Sequence, residues 1–153
     1  MALKAGRDLQ AFKPGYQSDS VMERGGIVSV KTVGSGEAMD DSAMIAEYAD
    51  EPSGTVPLGV LMDDTENNDL TRIHKNWFKQ ETHQGEKMTI VNRGWVTTDM
   101  VAGEITVSAP QTAYVTESGL FTNVTGNGYN VEVGRFETNA DEDGYCRVSV
   151  NLP

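Results

Sequence analysis

At 153 residues, with a net charge of −11, 38% hydrophobic residues and a mean hydropathy of −0.41, the chain has room for one ordinary domain, or for a smaller one with extended arms. The acidic balance argues against nucleic acid as a partner, because a phosphate backbone is held by an excess of Lys and Arg. No run nears the roughly 20 apolar residues that span a bilayer, the opening MALKAGRDLQAFKPG has no hydrophobic signal core, and the single Cys146 excludes an internal disulfide, so the expected setting is reducing and aqueous, without a membrane.

Residues 1–25 scatter Leu3, Leu9, Phe12, Tyr16, Val21 and Met22 with no period of 2 or 3.6, and Pro14-Gly15 and Gly25-Gly26 interrupt them. This predicts an extended N-terminal arm, ordered only if something ties it down. A β-domain is expected over 26–153. GIVSVKTV reads as its first strand, EAMDDSAMIAEYADE as a short helix or strand with acidic turns, and TVPLGVLMDD as a strand with Pro57 near its start. Residues 63–86 form a long polar loop, of a length that is usually functional or partly disordered. KMTIVNRGWVTT reads as a strand pair bent at Arg93-Gly94 and GEITV as a short strand, while TAYVTESGLFT is a hairpin turning at Glu117-Ser118-Gly119. GYNVEVGRFET and GYCRVSVNL close the chain as strands. In the last, Cys146, Val148, Val150 and Leu152 share one face and Tyr145, Arg147, Ser149 and Asn151 the other. Cys146 is therefore expected in the core. Few Leu, abundant Gly, Val and Thr and no long amphipathic period give an all-β chain, a small barrel or sandwich of short antiparallel strands.

The charge is uneven. Residues 37–69 carry ten anions and no cation, whereas residues 1–36 and 70–95 are the two net-positive regions. The second contains TRIHKNWFKQETHQ, with both histidines. His74 and His83 are nine apart, which fits neither an i, i+4 zinc pair nor a Cys/His ligand set. NADEDGYCRVSV resembles a calcium loop until its twelfth position, where Val150 replaces the bidentate Glu; an acidic turn with Gly144 at positive φ is the expected reading. Asp63, Asp64, Glu66 and Asp69 could pair as catalytic carboxylates, but no nucleophile, cofactor motif or phosphate-binding Gly loop accompanies them. The chain is read as a non-enzyme without cofactor or metal. What remains is Arg72, Lys75 and Lys79 around Trp77 and Phe78, beside His74: cations and aromatics of the kind enriched where proteins bind proteins.

The order GIVSVKTVGSGEAM, PLGVLMDD, MTIVNRGWVTT, TAYVTESGLFTN and VEVGRFETNADEDGYCRVSVNLP resembles the small all-β head-decoration, or capsid cement, proteins of tailed bacteriophages over residues 26–153. The resemblance implies a β-barrel on the outer face of a capsid, often trimeric, with no catalytic residues. The expected role is a structural virion protein that stabilises the shell by binding the major capsid protein across subunit seams. Its expected contacts are Lys4, Arg7, Phe12, Lys13 and Tyr16 in the arm, and Arg72, His74, Lys75, Trp77, Phe78 and Lys79 in the loop. A carbohydrate- or receptor-binding module of a virion surface is the alternative, with Trp77, Trp95 and tyrosines available to stack on sugars.

Overall fold

The computed structural model describes residues 2–31, 44–49, 55–67, 80–103, 106–126 and 131–153. The expected contact residues Arg72, His74, Lys75, Trp77, Phe78 and Lys79 lie outside these. Twelve strands are described: β1 (Asp8–Lys13), β2 (Gln17–Ser18), β3 (Ile27–Val30), β4 (Ile45–Tyr48), β5 (Pro57–Leu61), β6 (Asp64–Glu66), β7 (Glu81–His83), β8 (Ile90–Thr98), β9 (Gln111–Val115), β10 (Phe121–Thr122), β11 (Glu132–Phe136) and β12 (Cys146–Asn151). The hairpin between β9 and β10 turns through a single 3-10 turn, Glu117–Gly119, with Ser118 at φ 59°.

Ten strands form one sheet in the order β10-β9-β11-β12-β8-β5-β3-β4-β2, with β1 attached to β8 off this path. The sheet does not close, and the fold is an all-β, sandwich-like one. β8 is its hub. KMTIVNRGWVTT does not break at Arg93-Gly94; residues 90–98 are one nine-residue strand. Residues 93–95 pair with both β1 and β12, and residues 90–91 with both β1 and β5. A strand has two edges, so β1 holds one edge of β8 while β5 and then β12 share the other.

This explains a pattern in the sequence. β3, β5 and the start of β8 lie between two cores. Ile27, Val60 and Val91 face the larger one, with Val96, Val115, Phe121, Val133, Phe136, Cys146, Val148 and Val150. Val28, Leu61 and Ile90 face the smaller one, with Met22, Ala46, Leu58 and Met88. A strand buried on both faces reads as a continuous apolar run, hence IV, VL and IV in GIVSV, PLGVLM and MTIVN. β12 covers only one core and alternates. In the larger core Phe121 and Phe136 meet edge to face, centroids 6.4 Å apart, the geometry favoured by the ring quadrupoles.

The N-terminal residues are extended, as their pattern implies, but they are tied down by the chain itself. β1 pairs with β8 from Asp8↔Trp95 to Lys13↔Ile90, Leu3 bridges Thr98, and Ala2, Leu3 and Met22 are buried. β1 alternates between exposed and half-buried positions, with register shifts against β8 between Leu9 and Ala11 and between Ala11 and Phe12, whereas Leu3, Tyr16, Val21 and Met22 lie outside it.

Tyr48, beside the smaller core, donates its hydroxyl to the Glu23 carbonyl and accepts the Glu23 N–H, both at 2.5 Å. Burial pushes its pKa up to about 12. A raised folded-state pKa means the unfolded chain ionises first. The stabilisation by Tyr48 is therefore complete below pH 10 and is lost as pH rises from about 10 to about 12. In chemical denaturation across that window, Tyr48→Phe is expected to show a shallower decline in stability than the native chain; equal slopes would contradict this.

Candidate functional site

The described residues that flank 68–79 in the sequence pack against the N-terminal segment. β6 and β7 pair in parallel, Asp64↔Glu81 to Glu66↔His83, as a two-stranded stem. The segment before β3 holds that stem. Thr65, fully buried, donates its hydroxyl to the Ser20 carbonyl at 2.8 Å and accepts the Met22 N–H at 2.6 Å. The Arg24 N–H reaches Asp64 Oδ1 at 2.9 Å. Arg24 is only 6% exposed. Its Nη1 donates to Gln80 Oε1 at 2.5 Å, and its Nε lies 3.9 Å from Asp64 Oδ2. One buried guanidinium thus spans both sides of the stem. Sequence reasoning missed Arg24, because nothing local distinguishes it from a surface arginine; the pairing that buries it joins residues 40 and 56 positions away.

The arm residues differ in availability. Lys4 is occupied: Nζ lies 3.1 Å from Asp141 Oδ2 and 3.8 Å from the centre of the Tyr145 ring. Tyr16 packs against the smaller core. Phe12 is 50% exposed on β1, a strand that pairs among the described residues with β8 alone. Arg7 and Lys13 are half-buried and have no ion-pair partner among the described residues.

His83 sits in β7, where its N–H donates to Glu86 Oε2 at 2.8 Å. Its imidazole Nδ1 is buried without a hydrogen bond. Among the described residues no three His, Cys, Asp or Glu side chains are grouped to hold a metal. The NADEDG segment is organised by Asp141, whose Oδ1 accepts the N–H groups of Asp143 at 3.0 Å and Tyr145 at 2.8 Å. Those bonds, with Lys4, hold the Asp141 carboxyl below its usual range, and Gly144 takes φ 86° as its place in the turn requires. Cys146 is buried and burial raises its thiol pKa, the opposite of what a reactive cysteine needs.

A second surface emerges from strand register. Directly paired residues point to the same side of a sheet. Trp95 pairs with Ser149 and Ser149 with Arg135; Arg93 pairs with Asn151; Thr97 pairs with Arg147. Half of the six arginines of this acidic chain therefore share the outer face of β8, β12 and β11. Arg147 lies over the Trp95 ring at 3.7 Å and is ion-paired to Glu137 at 2.6 Å, and Arg93 Nε donates to Asn151 Oδ1 at 3.1 Å. The alternation of β12 places Arg147, Ser149 and Asn151 outward from sequence alone; their neighbours across the sheet depend on non-local pairing.

Among the described residues the fold is all-β, with its N-terminal strand at a sheet edge and the β6–β7 pair held by the segment before β3. The family comparison makes this specific. A model of the phage structural cement protein family (E217 gp24/Pam3 gp6) matches residues 13–151. The chain belongs to this family and is a structural, capsid-stabilising virion protein that binds capsid proteins. No curated protein matches the chain.

Proposed function

We propose that this cement protein sits on the outer face of the capsid and binds the major capsid protein across subunit seams, as a homo-oligomer with a trimer favoured, after synthesis in the host cytoplasm. The observation that carries the reading is β1. It lies at a sheet edge, presents the half-exposed Phe12, and is flanked by Arg7 and Lys13, cations without ion-pair partners among the described residues. Burying an exposed Phe contributes roughly 1.5–3 kcal/mol. Lys4 and Tyr16 act from the same segment, Lys4 by exchanging Asp141 for a partner carboxylate. Arg72, His74, Lys75, Trp77, Phe78 and Lys79, between β6 and β7 in the sequence, form the second contact element. Modest contacts suffice when several subunits act together.

Co-sedimentation with emptied, expanded shells tests this. Phe12→Ala combined with Lys13→Glu is expected to lower affinity for shells about ten-fold, equivalent to about 1.4 kcal/mol, with the fold intact by circular dichroism. Trp77→Ala with Phe78→Ala is expected to reduce occupancy or oligomer stability. Wild-type occupancy for both pairs would remove both contact elements from the account.

A further inference from the structure

A groove of about 380 Å³ lies on the outer face of β8 between β1 and β12, lined by Gln10, Arg93, Trp95, Glu137, Ser149 and Asn151 with the backbone of Gly94 and Val150. We infer that it is a binding site for a neutral saccharide.

Three observations carry this. The lining is mixed in sign and character. It offers a guanidinium, a carboxylate, two amides and a hydroxyl, which together present donors and acceptors without a dominant charge. That matches a ligand whose hydroxyls both donate and accept, and is a poor match to a polyanion or polycation. One wall is the Trp95 indole; Arg147 covers one face of its ring at 3.7 Å, so the other face is the one that would meet the C–H groups of a pyranose ring. The polar lining is also held in place. Glu137 is ion-paired at 2.6 Å to Arg147, which lies outside the lining, and Arg93 is fixed on Asn151 at 3.1 Å. Groups already immobilised lose little freedom when a ligand arrives.

On β1, Asp8 pairs with Trp95 and Gln10 lines the groove. The inference does not depend on capsid docking and is tested on the isolated protein.

The test follows the two tryptophan indole N–H resonances by ¹⁵N NMR while glucose, galactose, mannose, N-acetylglucosamine and maltose are added singly. Trp95→Phe assigns the peaks. The expected result is a saturable, millimolar-range shift of the Trp95 peak with at least one sugar, and an unmoved Trp77 peak. Arg93→Ala and Ser149→Ala, both at positions outside the cores, are expected to weaken the response at least five-fold while leaving the remainder of the spectrum in place. Absence of a Trp95 shift with all five sugars overturns the assignment. So does a Trp95 shift that only hexaglutamate produces, which would make the face a receptor for acidic peptide instead.

Discussion

Replacing Arg24 with alanine should lower the free energy of unfolding by about 3–5 kcal/mol, read from urea denaturation, a large part of the stability of a chain this size. The reason is asymmetric. Arg24 is buried with its charge against Asp64 and its Nη1 on Gln80. Truncation leaves the Asp64 carboxylate without its cation, and removes a side chain that, with the Thr82 hydroxyl on the Asp64 carbonyl, ties β6 to the far side of the stem. Arg24→Lys retains charge but cannot reach both partners in the same geometry, and should recover only part of the loss. In an Arg24→Ala, Asp64→Ala double-mutant cycle, the two changes should be clearly non-additive. Additive effects, or a loss below about 1 kcal/mol, would show that the pair behaves as an exposed one. If residues 72–79 contact the shell as proposed, the same variant should also reduce shell occupancy at temperatures where it remains folded, because the stem flanks them in the sequence.

The second large effect is expected at Gly94→Ala. Gly94 has φ 143°, a conformation that L side chains rarely adopt, and a Cβ there would stand 2.1 Å from the Asp8 carbonyl oxygen. The obstacle is backbone, so no rotamer change relieves it. Either β8 distorts or β1 lifts away. The expected cost is on the order of 2–3 kcal/mol, with a diagnostic signature: hydrogen exchange should accelerate in β1 and along the β1-facing edge of β8, while β11 and β12 stay protected. A chain beginning at residue 14 should show the same pattern. It would also expose Leu9's place on the larger core and remove Ala2 and Leu3, both buried, so its stability should fall further than that of Gly94→Ala. Native-like exchange in β1 of Gly94→Ala would contradict the close-approach explanation.

The glycine of NRGWV shows where sequence reading stops. It was legible as a bend, because Gly after a charged residue in an apolar run usually interrupts a strand. It is in fact the point where the N-terminal strand crosses an unbroken β8. The distinction depends on a pairing across some eighty residues, which no local pattern encodes. The all-β class, the β9–β10 hairpin, the acidic Gly144 turn and the inward face of β12 were legible, since each follows from alternation or turn chemistry within a dozen residues. The N-terminal segment was legible as extended but not as anchored: Leu3 and Met22 are buried at isolated bridges to Thr98 and Thr65, distant pairings that no local period encodes. Among the candidate contacts, composition singled out Phe12, Arg7 and Lys13, which the fold leaves accessible in differing degree. It could not separate them from Lys4, which the chain uses against Asp141 and Tyr145. Arg24, and the convergence of Arg93, Arg135 and Arg147 around Trp95, exist only once register is known.

The family identifies a capsid-stabilising structural protein, and the proposal adds that each copy spans a seam. The most direct test is a cryo-electron-microscopy reconstruction of shells decorated with the full-length protein. The proposal predicts density for each copy against two neighbouring major capsid subunits, with β1 and residues 72–79 at the contacts. Density seated wholly within one capsid subunit, or with β1 turned to solvent, would contradict it.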